Sequence, residues 1–311
     1  MKNFFVVYDL RVLPPTFDFL CFICMADGLR RLSSPPFDGI DLAIIYGESL
    51  RGQEFANVAS QADLILHRIH SMLLPMASLL PSIKSISVFD VKSTSASISL
   101  GDVSFPKNYS ANNPELYKYY KNNHLIKVAE KIDIRALECD DASLNTARRL
   151  LKRLSGHENP VVFTLRNNTQ SHDRSRDKIK EYLDIAEKLS VEFPIVIVPD
   201  TSDVACGVQT DLPICYEASI DVKIRAAIGQ LSKVSFFSNN GASATSALNK
   251  KSTYYVADFA TGTRFTREWM EKEGWTYNWN PFSQGESHQV YDFDSLTFEK
   301  ARKFITLAVN Q

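Results

Sequence analysis

The sequence lacks a surplus of either charge, a dense set of cysteines and a long apolar segment. Its 311 residues contain 35 Lys and Arg against 36 Asp and Glu, for a formal net charge of −1. General nucleic-acid binding needs a basic excess to neutralise phosphates, so this composition argues against a nucleic-acid partner. No window reaches the ~18 uninterrupted apolar residues of a membrane-spanning helix, and the N-terminus shows no signal-peptide pattern. We therefore expect a cytoplasmic protein, and the sequence leaves peripheral association with a membrane open.

Cysteines are too few and too scattered to form a disulfide scaffold. There are five of them, an odd number, which favours reduced thiols. Cys21 and Cys24 form a CxxC pair inside an apolar run, with no second CxxC and no His nearby. We expect both to be buried in the core rather than to serve redox or zinc chemistry.

Several familiar catalytic signatures are also missing. The sequence has no GxGxxG after its first predicted strand, no Walker GxxxxGK[ST], no GxSxG and no HExxH. These absences argue against a simple dehydrogenase, a P-loop NTPase, an α/β-hydrolase and a zinc metalloprotease of the HExxH type.

What the chain does contain is a regular alternation of short apolar runs and helical patterns. The predicted strands are 4–8, 42–46, 85–89, 161–165, 195–198, 234–238 and 254–257. Predicted helices cover 17–31, 54–80 with an interruption at Pro75, 142–154, 177–190, 219–232 and 296–309. Continuously apolar strands are typical of parallel sheets that are covered on both faces. The alternation therefore predicts an α/β fold with open parallel sheets.

The alternation occurs twice, which predicts two domains. A polar stretch at 92–123 and a polar joint at 155–160 separate the two sets of strands. We place an N-terminal domain at 1–155 and a C-terminal domain at 156–294. A terminal helix within 295–311 follows the second sheet, and we expect it to cross back and pack on the first domain.

Ligands of open parallel sheets gather at the carboxyl ends of the strands, so the residues that follow each strand are candidates for a site. Arg166, Asn167 and Arg174 follow the strand at 161–165 and precede a helix. Arg can grip a phosphate with two donors, and a helix N-terminus adds a positive dipole end. These residues predict a site for a pyrophosphate or another anionic group. The alternative is a solvated loop with a helix cap.

A turn of small residues follows the strand at 234–238. Its candidate ligand contacts are Asn239, Asn240, Gly241, Ser243 and Thr245. Because Gly241 has no Cβ, a helix N-terminus can approach a ligand closely, and the polar side chains can donate to phosphate or sugar oxygens. We expect ligand contact here, although a plain turn before a helix has the same composition.

Other polar residues near strand ends are less specific. Asp200 follows the strand at 195–198 and can hold a ribose hydroxyl or a base edge, or cap a turn. His288 lies in a polar and aromatic segment before the last helix and is a further candidate for ligand contact. Asp292 and Asp294 form a DxD element, but Asp294 is also a good helix N-cap, and we expect no metal site.

The first domain offers candidates for proton transfer and for binding a second substrate. Asp9 ends the first strand, where a carboxylate can take a proton from an acceptor hydroxyl, and it is the predicted general base. Glu48, after the second strand, competes for that role. Arg11, Glu48 and Arg68 are the candidates for acceptor binding.

The stretch 160–257 resembles the bacterial heptosyltransferase-type enzymes, which are GT-B-fold glycosyltransferases. The strand and loop at 161–176 match the start of that family's second domain. The turn Phe-Ser-Asn-Asn-Gly-Ala-Ser at 237–243 is similar to the family's Asn-Asp-Ser-Gly turn, followed by a helix of small residues. An Asn stands where the family has Asp, and the His expected soon afterwards is missing.

The resemblance implies two Rossmann-like domains, of which the second binds a nucleotide-diphosphate sugar and the first binds a glycan or lipid-linked acceptor. It implies metal-independent sugar transfer without a cofactor, in bacterial surface-polysaccharide assembly, by a protein that can sit at the periphery of the inner membrane. Two alternatives stay open. One is a sugar-nucleotide epimerase or hydrolase of the same fold, and the other is a non-catalytic nucleotide-sugar-binding scaffold.

Overall fold

A computed structural model gives the structure of most of the chain. It describes residues 3–35, 37–48, 62–92, 105–107, 109–112, 114, 122–166, 175–201, 204, 207–258, 267–272, 274–275 and 280–309. The chain divides into two compact units, Met1–Glu138 and Cys139–Gln311. Each unit contains a parallel β-sheet, as the alternation of apolar runs and helical patterns predicts.

The first unit is built on a three-stranded parallel sheet in the order β1-β2-β3. Its strands are β1 (Phe4–Asp9), β2 (Ile40–Tyr46) and β3 (Ile83–Asp90). The first two strands are almost entirely buried, whereas β3 has no fully buried residue and exposes Val88. The prediction of strands covered on both faces therefore holds for β1 and β2, while β3 is the last strand in the order, with a partner on one side within the described sheet.

Helices of the first unit are α1 (Asp18–Leu32), α2 (Ala62–Arg68), α3 (Leu74–Ala77) and α4 (Asn122–Ala129), with a π-helical turn at Ile69–Leu73 between α2 and α3. Pro75 follows this turn and lies in the first turn of α3. A backbone N–H has no intrahelical acceptor at that position, so its absence in proline loses no hydrogen bond. Helix α1 is buried along Phe19–Gly28. Cys21 and Cys24 are buried free thiols on that stretch, which confirms their predicted place in the core.

The second unit is built on a five-stranded sheet in the order β5-β4-β6-β7-β8, and every pair in it is parallel. Its strands are β4 (Val161–Thr164), β5 (Ile195–Val198), β6 (Val234–Ser238), β7 (Tyr254–Ala257) and β8 (Gln289–Tyr291). Strands β4, β5 and β7 are buried at every residue, which explains why Thr164 is the one hydrophilic residue in their sequences. Strand β8 was not predicted, because three residues that begin with Gln carry no apolar run.

The helices of the second unit cover both faces of this sheet. They are α5 (Asp141–Ser155), α6 (Ser175–Leu189), α7 (Glu217–Ile220), α8 (Val222–Leu231), α9 (Ala244–Ala247), α10 (Arg267–Lys272) and α11 (Phe298–Val309). None of the helices in the described ranges combines the length and the hydropathy that crossing a membrane requires.

Helix α5 belongs to the second unit, which moves the division between the units from the predicted 155/156 to 138/139. Its Ala147 and Leu151 are fully buried in one apolar cluster with Val162 of β4 and Val196 of β5. The polar joint after α5 is therefore a loop inside the second unit, where Gly156 ends the helix in a left-handed conformation.

The N-terminus of α5 is held by a charged cap. Asp140 accepts a hydrogen bond from the backbone N–H of Ser143 at 2.7 Å and forms an ion pair with Lys223 of α8. The hydrogen bond from Lys223 and the cap lower the pKa of Asp140 to about 2. Asp140 thereby joins two helices that lie on the same face of the second sheet.

The Asp140→Asn variant should keep the cap but lose part of the acid sensitivity. Because the pKa of Asp140 is lower in the folded state, its stabilising effect is present above pH ~4 and is lost as the pH falls towards about 2. Urea unfolding at pH 5, 4, 3 and 2 should show a shallower loss of stability for Asp140→Asn than for the wild type. Asp184→Asn, an exposed change on α6, is the matched control and should follow the wild type. Identical curves for all three proteins would contradict the assigned ion pair.

The terminal helix packs differently from the prediction. Phe304 and Ile305 of α11 are buried in the core of the second unit, where the ring of Phe304 contacts the rings of Phe236 and Tyr255. The opposite face of the helix, including Leu307, is exposed. The expectation that this helix crosses back to the first domain is therefore corrected, because its apolar stripe packs on the sheet of the second unit.

Replacing Phe304 by Ala should destabilise the second unit by about 3–5 kcal/mol, the usual cost of removing a buried Phe side chain. Leu307→Ala, on the same helix but 54% exposed, should change stability by no more than ~0.5 kcal/mol. Chemical denaturation of both variants measures the difference. Equal, small effects would argue against the observed packing of α11.

Candidate functional site at the carboxyl edge of the second sheet

Because all five strands of the second sheet are parallel, the residues that follow them lie along one edge. In spatial order this edge carries Asp200 after β5, Arg166 near the end of β4, Asn239 after β6, Asp258 after β7 and Asp292 after β8. The parallel topology thus brings three of the predicted donor-binding residues to neighbouring positions, and it adds a carboxylate, Asp258, that sequence reasoning overlooked.

Arg166 joins the ends of two neighbouring strands. Its Nη1 donates to the backbone carbonyl of Asn239 at 2.5 Å, which ties the end of β4 to the turn after β6. The side chain is half-buried, and burial lowers the pKa of Arg166 against the opposing influence of Asp200. Within the described part of the chain, Arg166 forms no ion pair. A desolvated guanidinium with donors to spare is suited to hold a phosphate group.

The end of β5, next to Asp200, is joined to α7 by two hydrogen bonds. Ser219 donates its hydroxyl to the carbonyl of Pro199 at 2.8 Å, and Thr201 donates to the carbonyl of Ser219 at 2.6 Å. Asp200 itself is half-buried at the edge of the sheet. A carboxylate in this place can accept hydrogen bonds from ligand hydroxyls.

Arg225 lies under the same strand end and was not predicted. Its Nε donates to the carbonyl of Ala218 at 2.9 Å and its Nη2 to that of Pro199 at 3.5 Å. The residue is 7% exposed, and burial lowers its pKa to about 10 in spite of Asp200 nearby. The signal in the sequence is a single Arg inside the apolar helix pattern at 222–231, which reads as a solvent-facing residue until the fold is known.

The turn after β6 uses most of its polar groups internally. Asn240 accepts from the backbone N–H of Ser243 at 3.0 Å, and the Ser243 hydroxyl donates to the Asn240 carbonyl at 2.7 Å. Thr245 is buried and donates to the carbonyl of Ala242 at 2.8 Å. These contacts correct the expectation that Ser243 and Thr245 donate to a ligand, because both hydroxyl protons are already engaged.

Two members of the turn stay suited to ligand contact. Gly241 is exposed at the start of a short 3₁₀ segment, Gly241–Ser243. The side-chain amide nitrogen of Asn240 is buried and has no hydrogen-bond partner among the residues that the structure describes. A buried donor without a partner is costly, so an acceptor from a ligand would stabilise it.

His288 lies at the amino ends of the strands of the second sheet, whereas Arg166 lies at their carboxyl ends. It directly precedes β8, and its carbonyl accepts from the backbone N–H of Tyr254, the first residue of β7. Its imidazole Nε2 is 3.3 Å from the Glu286 carboxylate. The prediction that His288 contacts the same ligand as Arg166 is therefore wrong, since the amino ends of parallel strands face away from their carboxyl ends.

Asp258 is a buried carboxylate that sequence reasoning missed. It follows β7 directly, adopts a left-handed backbone conformation with φ 59°, and is 4% exposed. Its carboxylate accepts from Lys178 at 2.7 Å, from Ser295 at 2.8 Å and from Tyr182 at 3.1 Å. The signal available was an acidic residue placed immediately after a fully apolar strand.

The DxD element is engaged by side chains of its own unit. Asp292 is buried, accepts from Lys300 at 2.7 Å and forms a close hydrogen bond with Tyr255. Asp294 is exposed and pairs with Arg267 at 3.0 Å. Among the described residues there is no cluster of three or more His, Cys, Asp or Glu arranged to hold a metal ion.

Two of the predicted donor contacts, Asn167 and Arg174, lie outside the described residues.

In the first unit, Asp9 is the centre of a buried network. One carboxylate oxygen, Oδ1, accepts from the backbone N–H and the Nε of Arg11, both at 3.0 Å. The other, Oδ2, accepts from Arg11 Nη2 at 2.6 Å and from the Tyr109 hydroxyl at 2.8 Å. Asp9 is 0% exposed, and burial together with Asp9 raises the pKa of Tyr109 far above its usual value, so the phenol stays a donor. This carboxylate is poorly placed to act as the predicted general base.

The remaining acceptor candidates have different settings. Arg11 is buried against Asp9 and also donates to the carbonyl of Ala111 at 2.8 Å, so its guanidinium is committed to the fold. Arg68 is half-buried, donates to the carbonyl of Pro15 at 3.2 Å, and has its pKa lowered by burial. Glu48 is exposed after the end of β2. Of the two predicted carboxylates, Glu48 is the accessible one.

Comparison with known proteins adds to this geometry. No family model matches the chain, and no curated protein matches its sequence. Among solved structures, it is similar to the glycosyl transferase family 9 protein from Veillonella parvula DSM 2008, with a TM-score of 0.50 and 10% identity. The alignment covers 100% of this chain and 98% of that chain. The likeness at this identity concerns the fold, an α/β architecture with parallel sheets that is shared with a glycosyl transferase.

Replacing Asp9 by Asn should destabilise the first unit by about 3 kcal/mol, because the buried guanidinium of Arg11 loses its counter-charge. Glu48→Gln, at an exposed position, should change stability by less than ~0.5 kcal/mol. Denaturant unfolding of the two variants distinguishes these effects. A stable Asp9→Asn protein that had lost a measured transferase activity would instead restore Asp9 as the base.

Proposed function

We propose that the protein is a glycosyltransferase whose second unit binds a nucleotide-sugar donor at the carboxyl edge of its sheet. The observation that carries the proposal is Arg166, a half-buried guanidinium without an ion pair in the described chain, fixed by its hydrogen bond to the turn after β6. A desolvated cation in this position is suited to a diphosphate group. The fold shared with a glycosyl transferase agrees with this chemistry.

In this proposal each part of the donor meets a different group. Arg166 holds the diphosphate and offsets the charge that develops on it as the sugar leaves, so the transfer needs no metal ion. Asp200 accepts from hydroxyls of the nucleoside, and Asn239 and Asn240 contribute amide groups. Gly241 lets the backbone approach the ligand. Asn167 and Arg174, which follow Arg166 in the sequence, complete the proposed donor set.

The acceptor would bind to the first unit. Glu48 replaces Asp9 as the proposed general base, because it is exposed while Asp9 is saturated with hydrogen bonds. Arg68 is proposed to contact the acceptor. A glycan or lipid-linked acceptor, bacterial surface-polysaccharide assembly, and a cytoplasmic place at the periphery of the inner membrane complete the proposal.

A second candidate is a nucleotide-sugar-binding module without catalysis. The buried state of Asp9 favours it, since the carboxylate with the strongest sequence case for proton transfer is used to stabilise the fold. The two candidates share the donor site, so binding alone does not separate them.

Nucleotide binding is the first test. Thermal-shift and calorimetric titrations with UDP, GDP, ADP, CMP and their sugars, all in EDTA, should reveal one preferred nucleotide. A ligand at ~100 times its Kd should stabilise the fold by ~2.7 kcal/mol. Arg166→Gln should weaken that binding at least about tenfold, whereas Arg302→Gln, an exposed change on α11, should leave it unchanged.

The outcomes separate the candidates. Release of free nucleotide that depends on an added glycan or lipid-linked acceptor, and that falls in Glu48→Gln, would support the transferase. Release without any acceptor would point to a hydrolase. Selective binding that never leads to turnover would favour the binding module, and the absence of binding by every nucleotide would overturn the donor site.

A further inference from the structure

Among the described residues of the second unit, two arginines at the ends of neighbouring strands form no ion pair. Arg166 lies at the end of β4, and Arg225 lies beneath the end of β5. Within the described ranges neither guanidinium has a carboxylate within ion-pair distance. Buried charges in proteins are usually paired, because desolvation of an isolated ion is costly. Two such cations at the ends of paired strands indicate an anion that the site is built to receive.

The hydrogen bonds of Arg225 do not by themselves explain a charged residue there. It donates to the backbone carbonyls of Ala218 and Pro199, which are neutral acceptors that an uncharged amide could also satisfy. The neighbours of Arg225 in α8 are buried and apolar, including Ile224 and Ile228. A permanent charge in this setting costs folding free energy, so its presence points to a role beyond the fold.

The charge of one carboxylate, Asp200, acts on both arginines. Asp200 directly follows Pro199, whose carbonyl Arg225 contacts, and it influences the pKa of Arg166 and of Arg225 in the same direction. Counted over the described residues alone, one carboxylate and two guanidinium groups give the ends of β4 and β5 a positive surplus. A ligand with more than one negative charge is the chemistry that such a surplus favours.

We propose that Arg225 is a positioning residue of the anion site, which holds Asp200 in place from below and adds a second buried positive charge that selects a diphosphate over a monophosphate group. This inference rests on the proposed function for its location, because it concerns the same strand ends. It goes further by assigning the preference for a diphosphate to a residue that need not touch the ligand.

The test compares ligands that differ by one phosphate. The Kd values of the preferred nucleoside diphosphate, the matching monophosphate, inorganic pyrophosphate and inorganic phosphate are measured on the full chain by calorimetry. Arg225→Gln should weaken diphosphate and pyrophosphate binding about tenfold and monophosphate binding much less, so that the ratio of the two Kd values falls. Arg225→Lys, which keeps the charge, should restore most of the preference.

Ser219→Ala is the matched structural control. It removes the hydrogen bond to Pro199 and loosens the same strand end, but it leaves both charges in place. Its melting temperature should fall while the ratio of diphosphate to monophosphate affinity stays at the wild-type value. If Ser219→Ala and Arg225→Gln lowered the ratio equally, or if neither changed it, the role assigned to Arg225 would be overturned.

The inference and the proposed function can fail separately. Pyrophosphate binding that depends on Arg225, in a wild-type protein that binds no nucleotide, would support the anion site and reject the nucleotide-sugar donor. Nucleotide binding that is lost in Arg166→Gln but unchanged in Arg225→Gln would keep the donor site and reject the inference. A wild-type protein that binds none of the four probes would overturn both.

Discussion

Parallel pairing is the constraint on which the rest of this molecule depends. In a parallel sheet all strands end on the same side. After each strand of the second unit the chain must therefore cross back over a face of the sheet before the next strand begins. Burial on both faces favours apolar residues in β4, β5 and β7. Polar groups are therefore concentrated where the strands end, and this edge gathers Arg166, Asp200 and Asn239 from segments far apart in the sequence.

Two buried carboxylates at strand ends are paired within the protein. Asp9 in the first unit and Asp258 in the second each follow or end a strand, and each is surrounded by a cation and a tyrosine. Such carboxylates have their oxygens satisfied by the protein itself, and they stabilise the turn in which they lie. A strand-end acid is therefore not evidence for catalysis until its hydrogen bonds are counted.

Much of the fold could be predicted from the sequence, because a buried parallel strand leaves a continuous apolar run. Strand β8 left no such run. The sequence could not show that His288 lies at the amino ends of the strands, because this position follows from the existence and direction of β8. The partner of Asp9 was equally hidden: Tyr109 is 100 residues away and reaches Asp9 only because residue 105 pairs with β1. The hydroxyls of Ser243 and Thr245 looked available because local capping contacts depend on backbone geometry that a list of residue types does not contain.

Within the described residues, cations that are paired with carboxylates and cations that are not lie at different strands of the second sheet. Lys178 pairs with Asp258 at the end of β7, and Lys300 pairs with Asp292 at the end of β8. At the ends of β4 and β5, the charge of Asp200 influences two guanidinium groups, and the buried amide nitrogen of Asn240 after β6 has no acceptor among the described residues. Each of these features alone costs stability, and a single anionic ligand over β4, β5 and β6 would relieve all of them. The proposed donor site accordingly lies over the ends of these three strands, whereas the described carboxylates at the ends of β7 and β8 are paired within the protein.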